Sequence, residues 1–167
     1  DTVSWYTLNQ IAPHNHVRVG QPVVAVVVAA PNHGVAGAVL DVAVGDGKDY
    51  EKYDKNPVLT AKDLPKGASK VDFRDPKIWK GNDGNFYCVI GSRPADGSGQ
   101  ILLYRSKNGF EWEFVSILAK NQNRYGKMWE CPDFFELDGK YVLLTSPQDM
   151  LPEGLEYHNG NGTLCII

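Results

Sequence analysis

Two segments of the chain repeat each other, and any admissible fold has to explain both. The first runs Pro76-Lys-Ile-Trp-Lys-Gly-Asn-Asp-Gly-Asn-Phe-Tyr-Cys-Val-Ile-Gly-Ser92, the second Pro132-Asp-Phe-Phe-Glu-Leu-Asp-Gly-Lys-Tyr-Val-Leu-Leu-Thr-Ser146. Each opens on a proline, continues as a short aromatic strand, turns at Asp-Gly and returns as a second strand that ends in serine. Glycine beside Asn or Asp supplies the positive φ angles that a tight hairpin tip requires. Another pair recurs in the same order, Val44-Gly-Asp-Gly-Lys-Asp-Tyr50 and Ser106-Lys-Asn-Gly-Phe-Glu-Trp112, and Asp1 to Trp5 reads as the tail of a further copy. The repeat distance is about fifty to sixty residues, the long end for one four-stranded propeller blade.

The remaining segments agree with an all-β chain. Val23 to Ala30 and Val35 to Val44 flank the turn-forming Pro31-Asn32-His33-Gly34, which predicts a hairpin. Ile101 to Ser106 and Trp112 to Leu118 flank Asn108-Gly109 in the same way. Thr60 to Lys70 is polar and irregular, a connection between units, and no stretch of ten residues carries a convincing helical period. With 17 Gly, 10 Pro and 11% aromatics, the chain suits short strands joined by turns. A net charge of -3 argues against a nucleic-acid surface. The apolar run from Pro22 to Ala30 is too short to span a bilayer. Cys88, Cys131 and Cys165 are odd in number and lack metal-ligand or disulfide spacing, which points to a reducing, cytoplasmic setting. His14 and His16 read as surface residues of a loop; no metal and no cofactor is implied.

In a propeller the innermost strand of each blade faces the central axis. If the prolines mark where that strand begins, Asp75 and Glu130 point into one axial pocket although they are far apart in sequence. Glu130 lies between Trp129 and Cys131, and a carboxylate pressed among apolar groups loses hydration, which raises its pKa toward the range of a general acid. Trp129 is either a core residue or a sugar platform, and Cys131 reads as packing beside the acid. A structural reading stands next to the catalytic one: Glu130 neutralised by Arg74 or Lys127, and Asp75 satisfied by backbone N–H groups.

Phe73-Arg74-Asp75-Pro76 and Trp129-Glu130-Cys131-Pro132 resemble two of the three signature blocks of glycoside hydrolase family 32, the invertases, fructanases and sucrose-6-phosphate hydrolases. Ser146-Pro147-Gln148-Asp149-Met150 fits the same pattern, and the similarity runs from about Gly45 onward. The resemblance implies a five-bladed β-propeller, of which 167 residues hold about three blades at the usual blade length, and a following β-sandwich. It implies retaining hydrolysis of terminal β-D-fructofuranosyl bonds in sucrose, sucrose phosphate or short fructans. In that scheme Glu130 is the general acid/base, Asp75 binds the fructosyl hydroxyls and stabilises the oxocarbenium-like transition state, and Arg74 fixes the sugar and Glu130. The family's nucleophile is an Asp in a block like Trp-Met-Asn-Asp-Pro-Asn-Gly, which these residues do not contain, and Val17 to Val42 matches the pattern poorly. Residues 1–167 are therefore expected to be part of a single catalytic propeller, inactive alone. The partner is a small carbohydrate, with no nucleic acid and no membrane. The other function considered is a non-catalytic propeller module that binds carbohydrate or protein.

Overall fold

A computed structural model describes residues 23–27, 38–45, 49–122 and 124–167. The expectations for Asp1 to Trp5, for His14 and His16, and for the turn at Pro31 to Gly34 lie outside the described residues. Among the described residues all the long elements are strands. In the first sheet β1 (Val23–Val27), β2 (Ala38–Gly45) and β3 (Tyr50–Lys52) pair in that order, and β4 (Leu59–Thr60) also pairs with β2. The second sheet is a four-stranded meander of β5 (Ala68–Lys80), β6 (Phe86–Pro94), β7 (Gln100–Ser106) and β8 (Glu113–Lys120). The third contains β9 (Met128–Leu137), β10 (Lys140–Gln148) and β11 (Leu164–Ile166). Every pairing is antiparallel.

The two sequence repeats fall on equivalent hairpins. The proline segments form β5–β6 and β9–β10, the first two strands of their sheets, whereas Val44–Tyr50 and Ser106–Trp112 link β2 to β3 and β7 to β8. The hairpin β1–β2 forms as expected, with Val23 opposite Gly45 and Val27 opposite Asp41. Asn56 closes a gap at the edge of β2: its side-chain oxygen accepts from Val42 N–H and its Nδ2 donates to Val42 C=O, each at 2.8 Å. A side-chain amide thus replaces the ladder between β3 and β4.

Two expectations are corrected. The stretch from Thr60 to Lys70 is not an irregular connection throughout. Thr60 caps a short 3-10 turn at Ala61–Asp63, in a capping box with Asp63, and β5 begins at Ala68. Nor do the prolines start the inner strands: Pro76 and Pro132 lie within β5 and β9. Proline has no N–H to give a ladder, so inside a sheet it is tolerated on an edge strand or at a bulge. Both prolines meet both conditions, since β5 and β9 are edge strands and each carries a register shift at its proline.

Alternation along the middle sheet sorts its side chains between two cores. Phe73, Cys88, Ile90, Leu102 and Tyr104 pack with Leu40 and Leu59 of the first sheet. Val89 and Ile101 pack with Trp129 and Leu143 of the third. Covered on both faces, β6 and β7 read as nearly unbroken apolar runs, as strands buried on both sides do.

Candidate active site

The site is made by two equivalent bulges. On β5, Arg74 pairs with Gly91 and Lys77 with Val89, so Asp75 and Pro76 together oppose Ile90. On β9, Glu130 pairs with Ser146 and Asp133 with Leu144, so Cys131 and Pro132 oppose Thr145. The first residue of each bulge has positive φ, 58° at Asp75 and 47° at Cys131. Such geometry at a non-glycine residue costs on the order of 1–3 kcal/mol and persists only where surroundings enforce it. Bulges re-aim side chains, and here each bulge turns its residues toward the other.

Arg74 and Glu130 hold the same place, immediately before their bulges, with opposite charge. Arg74 Nε donates to Glu130 Oε1 at 2.6 Å, joining the two sheets. At the next equivalent position Asp75 Oδ2 accepts from the Cys131 backbone N–H at 3.1 Å and from its thiol at 3.6 Å. The bulge leaves the Cys131 N–H without a ladder partner, and Asp75 supplies one. Thr145 Oγ1 donates to the Glu130 carbonyl at 2.8 Å. Outside this centre, Lys77 Nζ pairs with Asp133 at 3.0 Å.

Arg74 uses its whole guanidinium. Nη1 donates to Asp72 Oδ1 at 3.0 Å and Nη2 to Gln148 Oε1 at 3.3 Å, in addition to the bond to Glu130. Burial works against the charge of Arg74, but the bonds to Glu130 and Asp72 outweigh it and its pKa is raised. The guanidinium stays charged at any working pH. Asp72 also lies 3.7 Å from Arg93 Nη1. Desolvation, followed by the Asp75 charge and hydrogen bond, pushes the Cys131 thiol up to about 11, so it is a protonated donor at neutral pH and no nucleophile.

The structure thus brings together Arg74, Asp75 and Glu130. Of the surroundings read for Glu130, the pairing with Arg74 is present and the apolar cage is not, because the guanidinium holds one of its oxygens; Asp75 likewise takes a backbone N–H, that of Cys131. Of the two readings of Trp129, core residue or sugar platform, the core one fits its place. It is 2% exposed, packs against Val89, Ile101 and Leu143, and donates its indole N–H to Tyr125 C=O at 2.8 Å. Its ring fills the space over Gly99, where a Cβ would come within 2.3 Å of Cδ1. The sequence gives neither Asp72 nor Gln148 a role of its own, although Gln148 stands in the block Ser146 to Met150 that fits the family pattern. Asp72 stands two residues before Arg74, a spacing that puts both on one face of a strand; nothing in the sequence connects Gln148 to Arg74.

Residues 27–167 match the N-terminal domain of the glycosyl hydrolases family 32. The chain belongs to that family. The match begins well before Gly45, so β2, which starts inside the stretch that departs from the motif pattern, is part of the family's domain. The chain is similar to the sucrose-6-phosphate hydrolase of Escherichia coli, 41% identical over 114 residues, covering 68% of this chain and 22% of that protein. The sucrose-6-phosphate hydrolase of Bacillus subtilis (strain 168) is 38% identical over 122 residues, covering 71% of this chain and 24% of that protein. Among solved structures, a Bombyx mori GH32 beta-fructofuranosidase is 40% identical with a TM-score of 0.69, covering 85% of this chain and 29% of that one. A mutant of the same Bombyx protein has been solved in complex with sucrose. The chain spans less than a quarter of the length of these two curated relatives. The three sheets among the described residues correspond to about three blades of the family's five-bladed propeller.

Proposed function

We propose that in the full-length protein this chain provides the acid/base half of a retaining β-fructofuranosidase site, acting on sucrose, sucrose phosphate or short fructans. The observation that carries the reading is the 2.6 Å bond from Arg74 Nε to Glu130 Oε1, which joins two repeated bulges from neighbouring sheets. Held at Oε1, Glu130 turns its other oxygen to the substrate. Protonated there, it gives its proton to the glycosidic oxygen as the bond to fructosyl C2 breaks and a carboxylate from outside residues 1–167 bonds to C2. The Glu130 carboxylate then takes a proton from water as that water attacks C2 and releases the nucleophile.

Asp75 has one oxygen engaged by Cys131, and the other is assigned to the fructosyl hydroxyls and to the positive charge that develops on the ring. Trp129 serves from beneath, as packing that fixes the backbone of Glu130. A module that only binds carbohydrate or protein has no need of a carboxylate aimed in this way. Free thiols at Cys88, Cys131 and Cys165 favour a reducing, cytoplasmic setting. The test is to incubate the full-length protein with sucrose, its 6-phosphate and a short fructan, and to follow free fructose and its first-formed anomer by NMR. Release of β-fructose supports the reading; no release from any of the three, or first release of the α anomer, overturns it.

A further inference from the structure

Gln148 ends β10, and its backbone is pinned on three sides. Its carbonyl accepts from Lys127 N–H at 2.8 Å, the residue pairs with Met128 in the ladder, and it bridges to Asn161. Gly126, at φ 73°, lies so close that a Cβ there would sit 2.4 Å from the Gln148 carbonyl oxygen. From this fixed base the side chain crosses to the middle sheet and meets Arg74 Nη2 at 3.3 Å. A guanidinium only donates, so the amide oxygen, not its NH2, must face Arg74.

Arg74 already carries Asp72 on Nη1 and Glu130 on Nε. A planar fork held at only two corners can tilt about the line between them; a third acceptor fixes its plane. The charged and titratable groups around it are Asp72 and Asp75 on β5, Arg93 on β6, and Glu130 and Cys131 on β9. Gln148 fills the third corner with its amide oxygen.

We propose that Gln148 is a positioning residue for Glu130, acting through Arg74: it holds Nη2 so that Nε stays aimed at Glu130 Oε1. This rests on the reading of Glu130 as the acid that protonates the leaving oxygen. The role predicts a dependence on the leaving group, because a nitrophenolate departs without needing a proton whereas glucose does not.

The test compares kcat/KM of the full-length protein and its Q148M and Q148E variants on sucrose and on p-nitrophenyl β-D-fructofuranoside. Methionine keeps the length and loses the acceptor; glutamate keeps an acceptor oxygen. Q148M is expected to lose about tenfold on sucrose and less than about twofold on the aryl fructoside, with Q148E recovering most of the sucrose activity. Equal losses on both substrates, sucrose activity within about twofold of the unmutated protein, or Q148E falling as far as Q148M each overturn the proposal. Should Q148M fail to fold, Q148A takes its place in the same comparison: a loss on sucrose at least about fivefold greater than on the aryl fructoside supports the role, and equal losses or no loss refute it. An unmutated protein inactive on both substrates refutes the fructofuranosidase reading itself, whereas activity on both that Q148M leaves untouched refutes only the role of Gln148.

Discussion

Replacing Arg74 with lysine keeps the positive charge and removes the fork. The guanidinium reaches three acceptors from two sheets, at 2.6 Å to Glu130, 3.0 Å to Asp72 and 3.3 Å to Gln148. One ammonium cannot lie within bonding distance of all three in those directions, so at least one carboxylate bond and the amide bond are lost. Hydrogen bonds to charged groups contribute about 1.5–3 kcal/mol when shielded. The Arg74 and Glu130 side chains are 24% and 22% exposed, so solvent screening reduces this to about 1 kcal/mol for each carboxylate bond. Those bonds act on folding; the catalytic loss is the lost aim of the acid, and R74K should lower kcat/KM on sucrose by about 30- to 150-fold, the lower part of what general acid catalysis contributes. The fall should lie in kcat more than in KM, because the proton is needed as the bond breaks and not when the sugar binds. Steady-state kinetics of the full-length protein on sucrose measures it, with a urea titration to confirm folding. An R74K protein within about threefold of the parent would refute the claim that the guanidinium fork aims Glu130.

Two further outcomes test the frame around the site. In G91A the new Cβ would stand 2.2 Å from the Trp129 carbonyl oxygen and 3.3 Å from that of Arg74, both backbone atoms; β6 must move, and we expect a loss of about 2 kcal/mol, read as a fall of about 1 M in the urea midpoint, so an unchanged midpoint contradicts the packing of β6 against β9. Alkylation of Cys131 by iodoacetamide, followed by peptide mass spectrometry, should be slow at neutral pH and should accelerate about tenfold per pH unit toward its pKa of about 11, since only the thiolate reacts; a rate that levels off below about pH 9 would show that desolvation and Asp75 do not hold the thiol protonated.

The hairpins were legible because their signals are local. Gly84 and Gly139 take positive φ at the tips of β5–β6 and β9–β10, and Asp138 does so beside Gly139, as the Asp-Gly pattern implies. The pairing of Arg74-Asp75 with Glu130-Cys131 was legible too, because a repeat puts equivalent positions on equivalent strands. What the sequence leaves out is the register. That Pro76 and Pro132 lie inside strands depends on strand pairing before them, in Ala68 to Arg74 and Met128 to Glu130, where composition gives no marked alternation. For Glu130 the apolar surroundings read from its neighbours do not hold, whereas its pairing with Arg74, also read from the sequence, does. Its sequence neighbours Trp129 and Cys131 are not its spatial surroundings: Trp129 turns down into the core, and the group that reaches the carboxylate comes from another sheet. Gln148 was hidden in the same way, since an amide shows its role only when its partner is in place.

The central claim is that Glu130 is the acid/base, and the most direct measurement is sucrose hydrolysis by the full-length E130Q protein. Glutamine keeps the size and an acceptor for Arg74 Nε but has no proton to give. General acid–base catalysis contributes about 10²- to 10⁴-fold, so kcat should fall by that factor while the urea midpoint stays near that of the parent. A folded E130Q protein that releases fructose from sucrose at a rate within about twofold of the parent would contradict the account.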